Sequence, residues 1–158
     1  MHSYIIKLTT KGADGSRITF EEALSAAIRE KTGCDKLSQI DAAEESVLMY
    51  RVIPNLVGGA ASDDGKSMSF SGKAVWSKAK ELMDSAVEYL EAAAYGKRLD
   101  PIRESVIDAI LPDRGICFLV DDAPMNKFEL LSWLHDTMVA TGSDEVVLGY
   151  AGALDYHA

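Results

Sequence analysis

The alternation of apolar and polar residues predicts strands at four places along the chain. Residues 3–10 (SYIIKLTT) alternate with a period of two, which is typical of a strand with one buried face. Residues 45–53 (ESVLMYRVI), ended by Pro54, and residues 145–150 (EVVLGY) predict two more strands. Residues 116–120 (ICFLV) are apolar at every position, so we expect a central strand that is buried on both faces.

Four helices are predicted from apolar residues at helical spacing and from the residues that begin and end a helix. Two of these helices are expected to start with a capping box, because Thr19 is followed by Glu22 and Asn126 is followed by Glu129. A glycine or proline ends each helix. The four predicted helices lie within residues 19–33, 74–95, 100–112 and 126–142.

The element order β-α-β-loop-α-α-β-α-β predicts an α/β fold, with α+β as the alternative. We expect a two-layer sandwich in which four helices cover a mixed sheet of about four strands. Residues 116–150 form a strand–helix–strand unit, which favours a parallel pair of strands. Residues 55–73, rich in Gly, Ser and Asp, are expected to form a long irregular loop. Because no repeat or linker interrupts the pattern, residues 1–158 are expected to form a single globular domain.

Composition and cysteine content favour a cytoplasmic protein. The sequence has no run of about 18 apolar residues for a membrane span, and its N-terminus lacks the basic region of a signal peptide. Cys34 and Cys117 are too few for a disulfide framework, which points to a reducing compartment. No zinc site is expected, because no second His or Cys stands at ligand spacing from any of the three histidines.

The charge of the chain is distributed unevenly. The sequence has 16 basic and 25 acidic residues, for a net charge of −9, and only three of the basic residues follow Leu99, against eleven acidic ones. Such acidity argues against direct binding to DNA or RNA, whose phosphates attract Lys and Arg. We expect it instead to steer the protein toward a basic surface on another protein.

The first functional prediction is therefore a small acidic binding or inhibitor module. Its partner would be a protein with a basic surface, such as a nucleic-acid-handling protein or complex, and inhibitor and immunity proteins are often similar in size and acidity. This function needs no cofactor or metal, and it favours a protein that is not an enzyme. The candidate partner-binding residues are Glu104, Asp108, Asp113, Asp121, Asp122, Trp133, Asp136, Asp144 and Glu145.

An alternative prediction, a small nucleotide- or Mg²⁺-dependent enzyme, comes from residues 60–67 (AASDDGKS). They fit the relaxed phosphate-loop motif of P-loop proteins, and residues 116–122 resemble the apolar strand that ends in a carboxylate in those proteins. Residues 68–73 are poor helix formers, however, whereas a P-loop needs a helix that starts at the lysine. The nucleotide-binding residues that the resemblance implies are Gly65, Lys66, Ser67 and Asp121.

Two further alternatives stay open in the sequence. Asp121 and Asp122 suit either a Mg²⁺ site or a simple turn that leads to the cap at Asn126. The protein is also open to interpretation as a structural subunit of a homo-oligomer. Such a subunit would bury Trp133, or residues 149–158, which are expected to pack on a partner or to fray.

Overall fold

A computed structural model describes residues 3–12, 14–94 and 115–157. Its strands are β1 Ser3–Thr9, β2 Lys36–Gln39, β3 Ala60–Ala61, β4 Ser67–Ser71, β5 Ile116–Val120, β6 Ala123–Met125 and β7 Glu145–His157. Its helices are α1 Phe20–Ala23, α2 Ala26–Thr32, α3 Ala42–Val47, α4 Ile53–Val57, α5 Gly72–Ala94 and α6 Lys127–Thr141. A π-helical turn, Leu48–Val52, joins α3 to α4. The helix predicted within residues 100–112 lies outside the described residues.

The strands form one mixed sheet in the order β3-β4-β7-β1-β5-β6, and β2 also pairs with β7. β1 and β5 are parallel, whereas the other described pairs are antiparallel. The predicted α/β class with a mixed sheet is thus confirmed, although the described strands number seven instead of about four. The parallel pair expected within residues 116–150 is wrong, because β5 and β7 lie on opposite sides of β1 and run in opposite directions.

The long strand β7 is the centre of the sheet, a position that the sequence pattern assigned to β5. One edge of β7 pairs with β1, and its other edge pairs with β4 near one end and with β2 near the other end. Residues 148–156 are all buried. The expectation that this segment frays or packs on a partner is therefore wrong for residues 149–156, which are buried within the sheet, and the exposed His157 ends the same strand.

Helices cover both faces of the sheet, so the predicted two-layer sandwich is wrong in its number of layers. Neighbouring strand residues face opposite sides, and Ile5 and Ile6 accordingly belong to two different apolar cores. The larger core packs the sheet against α4, α5 and α6, and the smaller core packs it against α1 and α2. Burial on both faces explains why residues 116–120 are apolar throughout.

Residues 45–53 are helical, so the strand predicted there is wrong. Asp41 caps α3, since its carboxylate accepts a hydrogen bond of 2.7 Å from the backbone N–H of Glu44. Pro54 lies in the first turn of α4, where a missing N–H is tolerated. A short apolar run does not by itself distinguish a strand from a buried helix. The apolar residues that face the larger core are Leu48, Met49, Ile53 and Val57.

Residues 55–73 hold a β-hairpin, so the prediction of an irregular loop is also wrong. Strands β3 and β4 pair with each other, and β4 joins the main sheet beside β7. Met68 and Phe70 are wholly buried in the larger core and alternate with three serines. This alternation is the ordinary pattern of a strand with one buried face.

Both predicted capping boxes are confirmed. The Thr19 hydroxyl accepts a hydrogen bond of 3.2 Å from the N–H of Glu22, whose carboxylate accepts one of 3.0 Å from the N–H of Thr19. Asn126 and Glu129 bind each other in the same way. Residues 24–25 separate α1 from α2, so the first predicted helix is two helices. Among the described residues, no helix is long and apolar enough to cross a membrane.

Candidate binding surfaces

Asp121 and Asp122 form the two-residue turn that joins β5 to β6. Val120 pairs with Ala123 across this turn. Both aspartates have left-handed backbones, with φ of 43° and 72°, a conformation that Asp adopts more readily than most residues and that tight hairpins require. The turn interpretation of this pair therefore holds.

Asp121 also fastens the turn to the end of β1. Its carboxylate accepts a hydrogen bond of 3.1 Å from the N–H of Thr10 and a second one from the Thr10 hydroxyl. Burial opposes ionisation of Asp121, but the hydrogen bonds from Thr10 outweigh it and hold the pKa of this carboxyl below its ordinary value. Asp121 therefore has a structural role beside any role in binding.

Asp144 and Glu145 lie toward the same end of the sheet as the Asp121–Asp122 turn, because β7 runs antiparallel to β5. The register places Val120 level with Tyr150, so the start of β7 extends beyond the end of β5. The backbone carbonyl of Asp144 accepts a hydrogen bond of 2.7 Å from Gly72, and Ser69 donates to the Glu145 carboxylate. We call Asp121, Asp122, Asp144 and Glu145 the acidic end. All four are exposed, and among the described residues no Lys or Arg lies within the 4.0 Å of an ion pair with them.

The other candidate partner-binding residues are not part of the acidic end. Asp136 is exposed on α6, and its carboxylate lies 3.4 Å from Nδ1 of His135. Trp133 is only partly exposed and packs against the larger core. The three remaining candidates lie outside the described residues; they are Glu104, Asp108 and Asp113.

The motif at residues 60–67 is a hairpin turn and not a P-loop. Ser62 and Ser67 are joined by a backbone hydrogen bond of 2.9 Å, and Gly65 takes a positive φ of 67° inside the turn. Strand β4 follows Lys66, where a P-loop has a helix whose N-terminus binds phosphate. Ser67 belongs to β4 and Asp121 binds Thr10, so the implied nucleotide site is not assembled.

Lys66 and Gly65 instead line a polar cleft of about 540 Å³. The cleft includes Tyr150 of β7, which follows the part of the strand that pairs with β4 and precedes the part that pairs with β2. Two other segments bind β7 here, since Tyr150 N–H donates to the Lys66 carbonyl and Ile18 N–H donates to the Ala151 carbonyl, both at 2.8 Å. The lining consists of residues 14–17, residues 64–66 and Tyr150.

A chain of polar contacts fixes one wall of the cleft. The Glu45 carboxylate accepts hydrogen bonds from the Tyr150 hydroxyl, at 2.8 Å, and from the Arg17 guanidinium. Burial, and then the Glu45 carboxylate, raise the pKa of Tyr150, which therefore stays protonated as a donor. No sequence motif marks Arg17 or Tyr150, because the cleft is formed by segments that are far apart in the chain.

A smaller polar depression of about 280 Å³ adjoins the cleft and shares Asp14 and Ser16 with it. Its lining includes Lys11 and an ion pair of 2.7 Å between Lys7 and Glu22. The loop that connects β1 to α1 thus separates two polar concavities.

An apolar groove of about 220 Å³ lies between α5 and α6. Trp76 is 61% exposed beside it, and Met83 and Phe128 are also largely exposed. Trp76, and not the Trp133 of the sequence prediction, is thus the more exposed tryptophan.

The comparisons with known proteins leave the site to be judged on its geometry. No family model, no curated protein and no solved structure matches this chain. Within residues 3–12, 14–94 and 115–157, no three His, Cys, Asp or Glu side chains are grouped so that they could hold a metal ion.

Proposed function

We propose that the protein is an acidic binding module that docks the acidic end onto a basic surface of a protein partner. The observation that carries the proposal is that Asp121, Asp122, Asp144 and Glu145 are exposed toward one end of the sheet and form no ion pair with a Lys or Arg of the described residues. Exposed carboxylates that have no ion-pair partner attract a cationic surface and speed the encounter with it.

The charge of the whole molecule supports the same proposal. The described residues include 12 Lys or Arg and 21 Asp or Glu, so they hold the full net charge of −9. The basic surfaces of nucleic-acid-handling proteins are built to meet arrays of phosphates. A folded array of carboxylates that occupied such a surface would act as an inhibitor of nucleic acid binding.

The experiment compares two variants of equal charge. Asp122→Asn/Asp144→Asn/Glu145→Gln removes three charges of the acidic end and leaves the structural Asp121 in place. Glu30→Gln/Glu88→Gln/Glu91→Gln removes three charges from exposed positions on α2 and α5. The probe is an arginine-rich peptide, whose Kd is measured by calorimetry at several salt concentrations.

We expect the acidic-end variant to bind the peptide about tenfold more weakly than the control variant, since exposed charge pairs contribute about 0.2–1 kcal/mol each. Binding by the wild type should weaken steeply as salt increases. Equal affinities of the two variants would show that only the net charge matters. Affinity that does not depend on salt would exclude the acidic end as the binding surface.

A further inference from the structure

The polar cleft has features of a ligand site that the acidic end lacks. Its volume of about 540 Å³ falls within the range of about 300–1,000 Å³ that small-molecule sites occupy. It lies beside the central strand of the sheet, and its walls come from the β1–α1 loop, the β3–β4 turn and β7. The two loop segments that carry most of its polar groups are therefore anchored next to the central strand of the sheet.

Hydrogen bonds anchor the Lys66 backbone and the Arg17 side chain in the cleft. The Lys66 N–H donates to Asp64 Oδ1 at 3.0 Å, and the Lys66 carbonyl accepts from Tyr150 at 2.8 Å. Arg17 is held by Glu45 and passes over Gly152, where an added Cβ would come within 3.0 Å of its Nη2 atom. Among the described residues, the Lys66 ammonium has no ion pair within 4.0 Å.

The two carboxylates on the rim are already engaged on one oxygen each. Asp14 Oδ1 accepts from the N–H of Ser16 at 2.8 Å, and Asp64 Oδ1 accepts from the Ser62 hydroxyl at 2.6 Å. These hydrogen bonds lower the pKa of both carboxyls, so both are ionised at neutral pH. The cleft therefore presents cationic donors next to anionic acceptors. A simple anion would bind the two cations but would leave the two carboxylates without a hydrogen-bond donor.

We propose that this cleft binds a small polar molecule that carries both an oxyanion, phosphate or carboxylate, and hydrogen-bond donors such as hydroxyl or ammonium groups. The oxyanion meets the Arg17 guanidinium and the Lys66 ammonium, which suit oxyanions because they are charged donors. The donor groups of the ligand meet the free oxygens of Asp14 and Asp64. Sugar phosphates and α-amino acids share this chemistry.

The test uses ribose 5-phosphate and glutamate as separate probes of the full-length protein. Binding is followed by the NMR shifts of the backbone amides of Gly15, Ser16 and Gly65. Lys66→Gln removes an exposed ammonium, and Lys80→Gln, on α5, is its control. A second pair is Arg17→Gln with Arg29→Gln as the control, since these arginine side chains are 57% and 58% exposed and each pairs with one carboxylate.

We expect saturable shifts of these amides with one of the two probes, and the probe that saturates identifies the oxyanion. Lys66→Gln and Arg17→Gln should each raise the Kd about tenfold or more, and the control variants should leave it unchanged. Arg17→Lys should restore part of the affinity. No saturation by either probe below about 10 mM, or a Kd that Lys66→Gln leaves unchanged, would overturn the proposal. Neither result depends on the acidic end.

Discussion

Gly152 is the position where a single methyl group should reveal how tightly Arg17 is held over the central strand. Gly152 has a φ of +94°, and it lies where the register of β1 and β7 shifts between Ile6 and Leu8. A Cβ atom on residue 152 would lie 3.0 Å from Nη2 and 3.2 Å from Cζ of Arg17. Gly152→Ala therefore meets two penalties, one from the backbone and one from the contact.

The two penalties have separate magnitudes. A backbone held in a region that side chains disfavour costs about 1–3 kcal/mol. Displacing the guanidinium weakens its pair with Glu45, which adds only up to about 1 kcal/mol because the Arg17 side chain is 57% exposed. We expect the free energy of unfolding to fall by about 1–4 kcal/mol in urea titrations, with a Tm lower by about 2–15 °C.

Two controls separate the penalties. Gly142→Ala places a methyl group at a φ of +66° with no other atom within 4 Å, so it reports the backbone cost alone. Gly152→Ala in an Arg17→Ala background should also cost only the backbone penalty, since the contact is absent. If Gly152→Ala destabilises the protein equally in both backgrounds, the close approach to Arg17 has no energetic role.

Three further predictions concern the core, the acidic end and the thiols. Leu134→Ala should lower the free energy of unfolding by about 2–5 kcal/mol because Leu134 is wholly buried, whereas Val139→Ala, 69% exposed on the same helix, should change it by less than about 0.5 kcal/mol. The pKa of Asp121 in the folded state lies below its unfolded value, so ionised Asp121 stabilises the folded protein above about pH 4, and this stabilisation is lost as the pH falls through the folded-state pKa. Asp121→Asn should therefore have a lower free energy of unfolding than the wild type at pH 7, and the two free energies should become equal in acid. Burial raises the pKa of Cys117 to about 11 and also raises that of Cys34, so a thiol reagent at pH 8 should label neither cysteine until urea unfolds the protein. Rapid labelling of the folded protein would contradict the buried placement of these cysteines.

The parts of the fold that depend on neighbouring residues were predictable from the sequence. The capping boxes at Thr19 and Asn126 form as expected, because a cap is complete within four residues. The αL glycines Gly33 and Gly142 end their helices for the same local reason. The turn at Asp121 also follows from the preferences of aspartate itself.

The helix that starts at Ala42 had a signal that the strand prediction overlooked. Asp41 followed by Glu44 is a cap signature directly before the apolar run of residues 45–53. Strand β4 also had a signal, because Met68 and Phe70 alternate with serines. The Gly- and Asp-rich turn before β4 led to the prediction of an irregular loop instead.

The location of the cleft was not predictable, because pairing between distant strands decides it. Residues 14–17, residues 64–66 and Tyr150 carry no joint motif and meet only when β7 lies between β1 and β4. The acidic end depends on the same register. The sequence contains its aspartates and its glutamate but does not show that β5 and β7 run in opposite directions, which directs both acidic pairs toward the same end of the sheet.

The central position of β7 also constrains how the protein folds. β7 follows every other described strand in the chain, and its pairing with β1 joins Thr9 to Gly149, about 140 positions apart. Closing so large a loop costs entropy before any contact compensates for it, so folding should be slow compared with that of helical proteins of this length. The β3–β4 and β5–β6 hairpins can form early, but the complete sheet cannot form until β7 pairs with β1 and β4.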